Sequence, residues 1–147
     1  MHGNSYLRLG AMIVLSFISM YILMHAMVDS PTNIYNSFNQ LYMAGLMTAP
    51  MVVIELLLMG AMYADRTLNI TILGISILIG ALCFAGIRQQ SAISDVQFLR
   101  SMIPHHAGAV LMCQNGSSHR LEIKELCAEI TSGQEKEIKQ MKALLVQ

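Results

Sequence analysis

Charge is what this sequence has least of. Charged residues make up 12% of the 147 positions against 54% hydrophobic, and they crowd into the last third of the chain. A composition divided in this way implies two solvents, so a single water-soluble domain fits poorly. Neither sign is in excess: Lys plus Arg and Asp plus Glu number nine each, which leaves no net positive field and excludes nucleic acid as a partner. Cysteine is also scarce. Cys83, Cys113 and Cys127 are too scattered for a disulfide framework, and no Cys-x-x-Cys pair is present. There is no nucleophile beside a base, no phosphate loop and no closed acid-base pair, so nothing points to an enzyme.

What is present is apolar sequence in long runs. Leu9 to Val28 carries one ionisable residue, His25, and is long enough to span a bilayer. It lacks the short core and small-residue cleavage site of a removable signal peptide, so it is expected to stay as a signal anchor. Leu41 to Ala64 is apolar except for Glu55, and its Pro50 is tolerable where neighbouring helices satisfy the freed carbonyl. Leu68 to Ile87 has no charge, and Ser76 and Gly80 allow close backbone approach to another helix. Residues 1–90 are thus expected to form a three-span region with spans at about 9–28, 41–64 and 68–87, joined by short loops. Arg8 and Arg66 lie on one side, while the first loop has Asp29 and no Lys or Arg. The positive-inside rule then predicts a cytoplasmic amino terminus and an exported tail.

After Arg88 the pattern becomes amphipathic. Ser94-Asp95-Val96-Gln97 reads as a capping box, with Gln97 reaching back, and opens a helix that ends near Asn115 with Gly116 as a left-handed cap. A second helix is expected from about His119 to Leu145, with Ile123, Cys127, Ile130, Gln134, Ile138, Met141 and Leu145 on one stripe. Residues 92–147 therefore form a helical hairpin. Two helices cannot enclose a core, and pairing two hairpins into a four-helix bundle as a homodimer or higher homo-oligomer is the simplest solution.

The chemistry concentrates between Phe98 and Cys113. Met102, His105, His106, Ala109, Met112 and Cys113 fall within roughly a third of the helix circumference. Pro104 frees the carbonyl of Arg100, and the expected kink aims the histidines. Imidazole, thioether and thiol form a soft donor set suited to Cu(I) or Ag(I) and unsuited to Mg²⁺ or Ca²⁺. Zinc fits less well, because its sites rarely use Met and no His-Glu-x-x-His is present. Against this stands the plain reading, in which the methionines pack a core and the histidines are solvated. Met141 lies on the buried stripe of the second helix and joins the candidate ligands.

The run Met102-Ile103-Pro104-His105-His106, with Met112 following and a second helix carrying Ile130, Gln134, Glu137-Ile138 and Met141, resembles the bacterial "domain of unknown function 305" family over about residues 92–142. The resemblance implies a ferritin-like helical fold and periplasmic copper and silver binding. It carries site roles to Met102, His105, His106, Met112, Gln134, Glu137 and Met141, and the three-span leader resembles membrane-anchored members found in metal-resistance contexts. Gly108, Cys113 and Cys127 depart from the family's usual residues.

Three readings of the tail cysteines stay open: small buried hydrophobes, metal ligands, or an interchain disulfide. A hairpin folded about Ser117 would set Cys113 opposite position 121 and separate the two cysteines by about 9 Å in height, too far for an intrachain disulfide. In the spans, Met20, Met24 and Met27 share a face, and Met43, Met47 and Met51 step along the second run towards Glu55, a carboxylate in hydrocarbon that needs a partner or a function. These residues outline a possible membrane path. The overall expectation is an all-α, multi-pass protein of a bacterial inner membrane, with the lipid bilayer and metal-handling proteins as partners. Its periplasmic hairpin would bind copper or silver ions in sequestration, transfer or resistance. The alternatives are a small transporter of soft metal ions and a metal-free structural subunit.

Overall fold

The computed structural model describes residues 3–117 and 120–146, and it is helical throughout, with no strand among the described residues. Among the described residues five α-helices follow one another: α1 (Gly3–Leu23), α2 (Phe38–Leu58), α3 (Arg66–Gln89), α4 (Asp95–Asn115) and α5 (Leu121–Leu145). The chain divides into two compact units, one of Met1–Leu23 with Asn39–Ala92 and one of Met24–Phe38 with Ile93–Gln147.

The first unit holds α1, α2 and α3. Three helical segments, Ser5–Met27, Phe38–Leu58 and Arg66–Gln89, are long and apolar enough to cross a membrane. Their outer faces carry Leu15, Ile22, Leu57, Ile70 and Leu82, each more than half exposed, which suits a lipid solvent and not water. Inside, Leu9, Val52, Leu56 and Tyr63 form a buried cluster joined by Tyr6, Met12, Ile13, Ile72 and Leu73. Small residues bring α2 and α3 together: a Cβ at Gly80 would lie 3.2 Å from that of Ala49, and one at Gly45 would lie 2.7 Å from Cys83 Sγ. Ser76 is buried on the same helix as Gly80, as their spacing predicts. Cys83 faces α2.

The second span is shorter than the apolar run suggests. Helix α2 stops at Leu58 and the chain continues through a 3-10 turn at Gly60–Met62. Glu55 therefore sits in the last turn of α2, where its Oε1 accepts a hydrogen bond from Tyr63 Oη at 3.0 Å. Helix α3 begins on Asp65, whose side chain accepts from the Leu68 amide at 2.9 Å. It ends on Gln90, held in the left-handed region at φ 50° and ψ 43°. The Ser91 amide donates to the Gly86 carbonyl and the Gln90 amide to that of Ile87, which is the Schellman pattern without its usual glycine.

The second unit is built on the α4–α5 hairpin. Ser94 caps α4 by accepting from the Gln97 amide at 3.4 Å. Only half of the expected capping box forms: Gln97 Oε1 turns to the Phe38 amide at 3.0 Å instead of back to Ser94. That bond belongs to the larger departure from expectation, since the first loop is no bare connection. Residues 24–38 fold into 3-10 turns at Met24–Met27 and Pro31–Asn33 and pack on α4. Val28 and Tyr35 cover a core of Ile103, Ala107, Val110, Ile138 and Met141, and a Cβ at Gly108 would lie 3.3 Å from the Met27 carbonyl oxygen. Ile103 and Val110 are fully enclosed, each contributing roughly 1.5–3 kcal/mol by burial. Part of the cover that two amphipathic helices require thus comes from the same chain.

Two details of the hairpin also differ from the sequence pattern. Gly116 is extended, at φ −67° and ψ 123°, and not left-handed. Helix α5 starts at Leu121, and His119, expected near its start, lies outside the described residues. The chain therefore crosses between the helices over a longer connection than a turn centred on Ser117.

Candidate metal centre

Helix α4 presents its chemistry along the seam with α5. His106 is nearly enclosed, with 13% of its side-chain surface exposed, and its Nδ1 lies 3.0 Å from Glu137 Oε2 on α5. The approach is oblique, outside hydrogen-bond geometry, so this buried ring nitrogen has a carboxylate beside it but no aligned partner. His105 is exposed, and the two imidazole centroids are 6.0 Å apart with their planes tilted by 59°. Met102, one helical turn before His106, is partly buried against the cluster that contains Met141. Gln134, one turn from Ile138 on α5, is half-buried.

Met112 and Cys113 belong to a second location, about two turns further along α4. Met112 is 59% exposed and shares a cavity of about 600 Å³ with Cys113, Cys127 and Thr131. The Cys113 thiol makes a side-chain hydrogen bond with Cys127, which with burial and the neighbouring sulfur charge pushes it above its usual range, while a hydrogen bond with Thr131 opposes the rise. The sequence argument separated these sulfurs by about 9 Å; the structure brings them together. The two helices run in a register that sets Cys113 beside Cys127 and His106 beside Glu137. Periodicity places residues on a face, but the register between two helices depends on the connection.

The membrane candidates lie in the other unit. Met43 and Met47 are 41% and 45% exposed on α2, and Met51 is half-buried. Glu55 is engaged by Tyr63 and lines a small cavity of about 210 Å³ with Arg8 and Met62. Among the described residues, no three His, Cys, Asp or Glu side chains converge into a cluster able to hold a metal ion. The potential donors therefore gather at two separate places, around His106 beside Glu137 and around Cys113 beside Cys127, with neighbouring imidazole and thioether groups.

Comparison with known proteins bears on the same segment. Residues 84–145 match the family described as "Domain of unknown function (DUF305)". The chain is also 34% identical over 148 residues to "Uncharacterized protein L153" of Acanthamoeba polyphaga mimivirus, an alignment that covers 97% of this chain and 93% of the relative. The chain belongs to the DUF305 family. Its DUF305 segment opens in the last turns of α3 and takes in all of α4 and α5, so both sulfur and imidazole locations fall within it. The viral relative extends the likeness through the three apolar helices. No solved structure matches the chain.

Proposed function

We propose that this DUF305 protein is a membrane-anchored binder of soft monovalent metal ions, Cu(I) or Ag(I), that holds them on α4 of its hairpin for sequestration or transfer at the exported face of the membrane. The observation that carries the reading is the His106–Glu137 pair. A metal-ligating histidine commonly directs its second ring nitrogen at a carboxylate, which fixes the tautomer and raises the basicity of the nitrogen that binds. Glu137 stands 3.0 Å from His106 Nδ1, and a small rotation that aligned the two would leave Nε2 as the metal-binding nitrogen. His105 supplies a second imidazole, and Met102 a thioether on the same face one turn earlier. Two nitrogens and a soft sulfur are a sufficient set for a d¹⁰ monovalent ion and a poor one for a hard cation. Glu137 then orients a ligand and is not itself one, and Met141 acts through the core on which Met102 packs.

The metal content of full-length protein, purified from cells grown with added copper, tests this reading. About one equivalent or more of copper per chain is expected. Metal-free protein that also fails to take up Cu(I) when reduced would leave a structural subunit as the better account. The transporter alternative needs a continuous lining, whereas Met43 and Met47 face outwards on α2 and Glu55 is engaged by Tyr63.

A further inference from the structure

The cysteine pair is not used by the histidine location, and it has features of a site in its own right. Cys113 comes from α4 and Cys127 from α5, so the fold itself brings the two sulfurs together. Both are free thiols and both are only partly buried, unlike the enclosed aliphatic residues of the adjoining core. They lie close enough for Cys127 to raise the Cys113 thiol and line the same open cavity, with Met112 beside them and Lys124, Thr131 and Glu135 on its wall. Cys113 follows His106 by two helical turns, which at 1.5 Å per residue is about 10 Å along the axis. One ion cannot be shared across that distance.

We propose that Cys113 and Cys127 form a second soft-metal site, a two-coordinate bis-thiolate that takes a monovalent d¹⁰ ion such as Ag(I) or Cu(I). Thiolate is the ligand form that selects such ions. Binding replaces both thiol protons with the metal: two thiols and one M⁺ give an S–M–S bridge of net charge −1 and release two protons, with no change of oxidation state. A two-coordinate ion needs one sulfur on each side of it, and both sulfurs line the one cavity. Lys124 and Glu135 both line the cavity, so their charges largely offset one another near the anionic bridge. Met112, exposed at the rim, can offer a thioether to an arriving ion.

The test uses full-length protein in detergent, reduced beforehand, with alkylation at each cysteine followed by peptide mass mapping while Ag(I) is added. Because alkylation needs a free thiolate, one equivalent of Ag(I) is expected to slow labelling of Cys113 and Cys127 together by at least about ten-fold. In Cys113→Ser the protection of Cys127 should disappear, and in Cys127→Ser that of Cys113. The variant His105→Ala with His106→Ala should keep full protection, which separates this site from the histidine reading. Unchanged labelling with Ag(I) would overturn the proposal, as would protection that survives either single serine variant. A pair that closes to a disulfide and takes up no Ag(I) after reduction would overturn it too.

Discussion

At the scale of single residues, the contrast between His105 and His106 matters most. They are adjacent in sequence, yet one is exposed and the other nearly enclosed against Glu137. Sequence chemistry alone marked the imidazoles and the sulfurs, because soft donors on one helical face are visible in a single helix. Glu137 came only through family resemblance, since its role depends on which residue of α5 faces His106. The pairing makes a specific prediction. Glu137→Gln keeps the shape but removes the charge that orients His106, so Cu(I) affinity is expected to fall by about 10- to 100-fold with helix content unchanged. A competition titration with a Cu(I) chelator measures it, and unaltered affinity would remove Glu137 from the account.

At the scale of elements, the sequence was most legible where the signal is local. The Ser94 cap, the five helices and the Ser76–Gly80 close approach follow from residues a few positions apart. The end of α2 and the α4–α5 register were not legible in that way, because neither a 3-10 turn nor the pairing of two helices leaves a trace in a hydrophobic pattern. The link between α3 and α4 is a further case. Gln90 and Ala92 both have positive φ, at 50° and 58°, where an L side chain crowds the following carbonyl. Gln90 gains partial compensation by donating from Nε2 to the Ile87 carbonyl at 2.7 Å and through hydrogen bonds with Asn39. Ala92 has no side-chain group that could do so. Ala92→Gly is therefore expected to stabilise the protein by up to about 1 kcal/mol. Denaturation in detergent should show a higher midpoint, and a lower one would contradict the strain.

At the scale of the whole molecule, the placement of residues 24–38 links fold to topology. If the three apolar helices each cross a membrane, the segment between the first and second spans lies on the same side as everything after the third. That segment and the α4–α5 hairpin form one compact unit with a common core. An even number of crossings between them would permit this contact and an odd number would not. An exported side for this unit is what the positive-inside rule predicts, because Arg8 and Arg66 flank the opposite ends and residues 24–38 contain no Lys or Arg. A reporter that works only after export, fused after Val146, is accordingly expected to be active. Activity only of a reporter that requires the cytoplasm would reverse the orientation while leaving the unit intact.

The central claim is that a soft ion binds through His105 and His106, and a Cu(I) competition titration tests it most directly when the cysteine pair is silenced. With Cys113→Ser and Cys127→Ser in place, the protein should still bind one Cu(I) tightly, and more weakly as the pH falls, because the neutral imidazole is the ligand. Adding His105→Ala and His106→Ala should abolish that binding while the protein still inserts and keeps its helix content. If the histidine-free protein holds Cu(I) as tightly as its histidine-containing parent, the site on α4 is contradicted.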